Sequence, residues 1–218
     1  MSSFDYLALL DYEHLDQHFF MKSLVKELAK EPHKRGILLH GDSPLTDRIM
    51  QEGVMRQEAQ IRATKELNHR LVGLLADEGI PALGLHAYQK GLITPELTVS
   101  KASWDSLPSI PVIVLSTLIG QHEKAQQMRS LTEIQHAVAS QLPISEVIGF
   151  SLLDYLEWNL HSVPSSLIEQ GTLEQESEFV REHLPTEIQS SIGYRITVPG
   201  TTGSASFWKG SLNVVNLQ

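Results

Sequence analysis

Cysteine is absent from all 218 residues. Disulfides, thiolate metal sites, iron–sulfur clusters and a thiol nucleophile are therefore excluded. No apolar run reaches the roughly 18 residues that a bilayer-spanning helix needs. Basic residues are scarce relative to acids, 17 against 26, for a net charge of −9. That balance argues against a general nucleic-acid binder. The first residues carry Asp5 and Asp11 with no basic stretch before an apolar run, unlike a signal peptide. The expectation is a soluble cytoplasmic protein without nucleic-acid or membrane partners. What the chain does have is 41% hydrophobic residues against 20% charged ones. That is enough apolar material for one sizeable core, and too much for a disordered chain.

The apolar residues fall into short runs separated by amphipathic stretches. Tyr6–Leu10 (YLALL), Gly36–His40 (GILLH), Pro81–Leu85 (PALGL), Ile110–Leu115 (IPVIVL) and Glu146–Leu152 (EVIGFSL) have the length of buried strands. Between them lies a first helix capped by Asp16, with Phe19, Phe20, Leu24, Val25 and Leu28 on one face. A long helix over at least Gln57–Glu78 ends at Gly79, and a third covers Thr132–Gln141. Strands apolar on both faces, alternating with helices, predict a parallel sheet covered on both sides, a three-layer αβα sandwich. Residues 1–156 would form this unit, with 157–218 a divergent part packed on the same domain. There, Tyr194–Val198, Ser204–Trp208 and Leu212–Val215 read as short strands in an antiparallel meander or edge ribbon. Seven acids and only Arg181 occupy Glu157–Glu187.

Ligands of open α/β sheets sit beyond the carboxyl ends of the strands. This selects three loops: Gly41–Pro44, His86–Gly91 and Ser116–Gln121. Within them, His40 could donate to an anion or simply close its strand. Asp42 reads first as an Asx-turn or helix cap, and otherwise as a group that orients a hydroxyl or a cationic ligand. Lys90 reads as a solvated turn lysine or a ligand contact. Arg56 and Arg62 could clamp a carboxylate, or pair with Glu58 and Glu66 on the helix surface. His14 and His18 share the spacing of a zinc pair, but the acids around them suit a solvated helix start, so no metal site is assigned.

The stretches ILLHGDSP, TKELNHRLVGLLADEGIPALGLHAYQKGLI, IPVIVLSTLIG and LPISEVIGFSLLDYL follow one another between about Leu7 and Leu156. In this order they resemble the amino acid kinase family, in particular its acetylglutamate kinase branch. The resemblance implies ATP- and Mg-dependent phosphorylation of a small carboxylate, a homodimer, and a substrate site at His40, Gly41, Asp42, Ser43, Arg56, Gly84 and Lys90. Several of the family's features are missing. LALLDYEH has neither the lysine nor the glycines of the family's first loop. Asp42 and Ser43 replace glycines, and Ser130 and Thr132 stand where the family has Asn and Asp. Catalysis of phosphoryl transfer is largely positioning and electrostatics, so these losses predict a catalytically degenerate homologue. It would need no cofactor and would bind a small anionic metabolite or another subunit. An active kinase using Lys22, Lys90, Lys101 or Lys209, and an assembly subunit without a pocket, are the competing readings.

Overall fold

The computed structural model describes residues 3–10, 15, 18–120, 126–145, 147–150 and 194–197. The apolar runs become strands: β1 (Tyr6–Leu10), β2 (Gly36–His40), β3 (Ala82–His86), β4 (Val112–Ser116). A two-residue pair follows, β5 (Leu118–Ile119) and β6 (Gln127–Met128), and then β7 (Val147–Phe150) and β8 (Tyr194–Thr197). The helices are α1 (His18–Ala29), α2 (Leu45–Gln51), α3 (Arg56–Asp77), α4 (Lys101–Asp105) and α5 (Leu131–Gln141). The main sheet has six strands in the order β3-β4-β2-β1-β7-β8. Every pairing within it is parallel.

Continuous apolar strands are explained by burial on both faces. Side chains alternate across a strand. Leu7, Leu9, Ile37, Leu39, Ile113 and Leu115 therefore share one face and pack with Trp104, Ile134 and Val138 of α4 and α5. Tyr6, Ala8, Leu10, Leu38, Val112 and Val114 share the other and pack with Leu24, Val25 and Leu28 of α1 and Leu67, Leu71 and Leu75 of α3. The three-layer αβα arrangement with a parallel sheet is the expected one.

In the C-terminal segment, Tyr194–Thr197 forms the expected strand and pairs in parallel with β7 at the end of the described sheet. Parallel neighbours need a crossover of a dozen or more residues, and the chain between Phe150 and Tyr194 is long enough for one. Ser204–Trp208, Leu212–Val215 and Asp16 lie outside the described residues, as do the side chains of Phe19 and Phe20.

Helix ends follow local chemistry. At the end of α3, Gly79 (φ 74°) turns the chain. Its N–H donates to the Ala76 carbonyl and that of Ile80 to the Leu75 carbonyl, a Schellman closure. At the start of α5, the Ser130 hydroxyl accepts from the Glu133 N–H while the Glu133 carboxylate accepts from the Ser130 N–H. This reciprocal capping box fixes the helix start one residue before Thr132.

Gly36 opens β2 directly beside the Tyr6 ring. A Cβ there would lie 1.9 Å from Tyr6 Cζ, deep inside van der Waals contact. Tyr6 is itself buried, so the ring has no free space to move into. Gly36→Ala is expected to lower unfolding stability by about 1–3 kcal/mol, the usual cost of overpacking. Chemical denaturation checks this, and an unchanged midpoint would show that the ring yields freely.

Candidate functional site

In register, Leu10, His40, Ser116 and His86 form a row across the carboxyl ends of β1, β2, β4 and β3. Strand parity puts all four on the α3 side of the sheet, where three of them are polar. The helix meets them with a polar stripe: Gln60, Thr64 and Asn68, spaced four apart on α3, just before the apolar Leu71 and Leu75.

Asn68 is the centre of this layer. Its amide nitrogen lies 3.0 Å from His40 Nε2, 3.1 Å from the Val114 carbonyl and 3.3 Å from the Leu85 carbonyl. Its amide oxygen occupies the space that a side chain on Gly84 would fill, 2.2 Å from the position of a Cβ there. The absence of a side chain at Gly84 thus lets α3 dock on the strand ends. Because Asn68 donates to Nε2, His40 carries its proton on Nδ1 and donates to the Gly41 carbonyl at 3.3 Å. His40 is fully buried and neutral. Burial drives its pKa down to about 3, against the contact with Gly41, which favours the charged form, and His86 lowers it further. Ser116 Oγ accepts from the Leu118 N–H and is hydrogen-bonded to His86 Nδ1 at 2.7 Å. The His86 ring stacks on Tyr88. Burial first, then Lys65 and His69, lower the His86 pKa to about 4.

Beside this layer is a cavity of about 450 Å³ lined by Leu10, Gly41, Asp42, Gln60, Met128, Arg129, Ser130 and Leu131. It opens where β1 and β2 end and faces the start of α5. Asp42 is half-buried, and its Oδ1 accepts from the Ser43 N–H at 2.8 Å and from the Thr46 hydroxyl. Its Oδ2 accepts from Gln60 Nε2 at 2.9 Å. These bonds tie the loop to α2 and α3, as a turn-forming aspartate should. Arg129 pairs with Glu133 at 3.5 Å and donates to the Pro95 carbonyl at 3.3 Å.

Of the seven residues expected at the site, Gly41 and Asp42 line the cavity. His40 is sealed behind Asn68, and Ser43 is buried in the loop outside the lining. Arg56 is exposed at the first turn of α3. Gly84 lies under Asn68, and Lys90 is exposed on a short 3-10 turn at φ 54°. Met128–Leu131, rather than the expected loop His86–Gly91, face Gly41 and Asp42 across the cavity. The reason is topological: β4 inserts between β2 and β3, so the β3 loop is two strands away from the β2 loop. Gln60, Met128 and Arg129 were not singled out by sequence. Only Gln60 carried a signal, as the first member of the four-spaced polar stripe. Arg62 pairs with Glu58 on the surface of α3. His14 lies outside the described residues, and no cluster of three or more potential metal ligands occurs among the described ones. No helix among them is long and apolar enough to cross a membrane.

No known family profile matches the sequence, and no curated protein matches it. Among solved structures the fold resembles N-acetylglutamate synthase from Neisseria gonorrhoeae, crystallised with coenzyme A and N-acetylglutamate. Identity is 14% and the TM-score 0.51, over 68% of this chain and 42% of that one. Isopentenyl phosphate kinase is also similar, at 15% identity and a TM-score of 0.47, over 68% of this chain and 73% of that one. The synthase likeness shows an amino acid kinase-like fold. This chain spans well under half of the synthase's length.

Two outcomes follow from the polar layer. Asn68→Ala removes the donor to the His40 ring and to the Leu85 and Val114 carbonyls, and is expected to cost about 1–3 kcal/mol by denaturant titration; a loss within error would show that water replaces the amide. The second concerns pH. His40 and His86 titrate lower in the folded chain than unfolded, so the unfolded chain binds more protons below about pH 6.5. Stability should be full above that pH and fall towards pH 4, on the order of 1 kcal/mol per pH unit for each ring. His86→Gln should make the slope measurably shallower, and an identical slope would mean His86 is charged in the fold.

Proposed function

We propose that this chain belongs to the amino acid kinase family, on the acetylglutamate kinase side, and acts by binding a small ligand without transferring phosphate. The observation that carries this reading is the charge lining the cavity. Among the described residues its walls hold one carboxylate, Asp42, and one cation, Arg129, which Glu133 already pairs. No lysine lines it. Lys22, Lys90 and Lys101 are all exposed, on α1, on the turn after β3 and at the start of α4. Lys209 lies outside the described residues.

A transferring phosphoryl group spreads negative charge over its oxygens, and its transition state is stabilised by cations and bare backbone donors. Removing one such donor typically costs about 2.7–4 kcal/mol of activation energy. Here a carboxylate stands in the glycine loop itself. Ser130, in place of the family's Asn, has its hydroxyl committed to capping α5. Both features support binding without turnover.

The fold also suits the active alternative, an ATP- and Mg-dependent kinase of small acyl-amino acids, so the test is direct. Isothermal titration with Mg-ATP is expected to show no saturable binding at micromolar concentration. A coupled ADP-release assay over a panel of acyl-amino acids is expected to stay at background. Micromolar nucleotide affinity with turnover near 1 s⁻¹, the low end for kinases, would establish the active kinase instead.

A further inference from the structure

We propose that the cavity beyond β1 and β2 selects a small organic amine with an apolar body, and that Asp42 is the residue that recognises its ammonium group. This rests on the ligand-binding reading above but reverses the charge expected of the ligand.

Ionised, the Asp42 carboxylate offers about four acceptor positions. Three are taken: by the Ser43 N–H, the Thr46 hydroxyl and the Gln60 amide. All three donors are neutral, and no ion pair to Asp42 occurs among the described residues. Oδ2, with Gln60 as its one donor, keeps the fourth position. Asp42 is itself part of the cavity wall. The three neutral donors also hold the group rigidly, so an incoming ammonium meets a pre-oriented acceptor.

The charge count across the cavity points the same way. Arg129 is balanced by Glu133, one turn along α5. Gln60 and Ser130 are neutral. With Glu133, which lies outside the lining, pairing Arg129, Asp42 is the one charged group of the lining without an ion-pair partner among the described residues. An anionic ligand would have to approach that carboxylate in a half-enclosed site, where repulsion is screened less than in open water. A protonated amine would instead gain a charge-assisted hydrogen bond there.

The remaining walls set the ligand's body. Met128 and Leu131, both partly exposed, line the cavity from the β6–α5 connection, and the fully buried Leu10 at the end of β1 backs the same wall. A methionine in such a wall adapts to different ligand shapes. The volume of about 450 Å³ lies in the range of small-molecule sites. An arylalkyl or branched alkyl amine suits this combination of one anionic corner and an apolar remainder.

The experiment titrates the full chain with three matched probes: phenethylamine, N-acetylphenethylamine and 3-phenylpropionate. Binding is followed by calorimetry and by NMR shift changes. The amine is expected to bind saturably, at least tenfold tighter than either of the others. Asp42→Asn keeps an acceptor for Ser43 and Thr46 but removes the charge, and should abolish the tenfold preference while the thermal midpoint shows that the fold persists. Met128→Trp, filling the cavity from the opposite wall, should weaken the amine without touching Asp42. Tighter binding of the acid or the acetylated probe would overturn this inference and leave ligand binding itself standing. Amine binding that survives both substitutions would overturn it by placing the amine elsewhere. Failure of all three probes to bind would overturn it as well, and Mg-ATP titrations report separately on the loss of phosphoryl transfer.

Discussion

The contact on which the site depends is the Asn68 amide over Gly84. It joins one helix to three strands: to β3 through the Leu85 carbonyl, to β4 through the Val114 carbonyl and to β2 through His40. His40 ends β2, Leu85 is the last but one residue of β3, and Val114 lies in the middle of β4. A buried amide is tolerated only when its donors and acceptors are met. The amide therefore constrains both the height of α3 above the sheet and its rotation about its own axis. With that rotation set, the residues one and two turns earlier have fixed addresses. Thr64 reaches the Met128 sulfur at 3.4 Å, and Gln60 reaches Asp42 at 2.9 Å. The helix that holds the sheet together thus also builds a wall of the cavity.

This arrangement explains why the buried face of α3 changes character along its length. Its C-terminal half covers the middle of the strands, where backbone groups are paired within the sheet, and leucine suffices there. Towards its start the helix passes the strand ends and loops, where polar groups need partners; Thr64 is buried there, and Asn68 is buried at the middle of the helix, where the two regimes meet. A purely apolar α3 would bury more hydrocarbon but strand polar atoms at the sheet's rim, each costing about 1–3 kcal/mol.

The layers and the strand runs were legible because they rest on local pattern. VIVLS, YLALL and GILLH are apolar on both faces, and only a sheet covered twice has use for them. The lining of the candidate cavity was half legible. Gly41 and Asp42 could be read because the strand-end rule depends on chain direction alone. The facing wall could not, because it depends on strand order, and no local pattern tells whether β4 lies outside β3 or between β3 and β2. Nor could the role of Ser130 be read by comparison with a family that has Asn there. The Ser-x-x-Glu spacing of Ser130 and Glu133 was itself a visible capping signal. Gly84 likewise reads as a generic loop-side glycine until the Asn68 amide is placed against it.

The same logic bears on what Asp42 costs and what it supplies. A glycine at this loop leaves bare N–H groups for an oxyanion. An aspartate spends one of those N–H groups, that of Ser43, on its own carboxylate. The loop therefore presents an acceptor where bare N–H groups would present donors. The fold accommodates the carboxylate because a backbone N–H, a helix hydroxyl and the first amide of the polar stripe satisfy it. Fold and loop charge are therefore separable in this architecture. The sheet and α3 fix where the cavity lies, whereas a single loop residue decides the sign of the charge it presents.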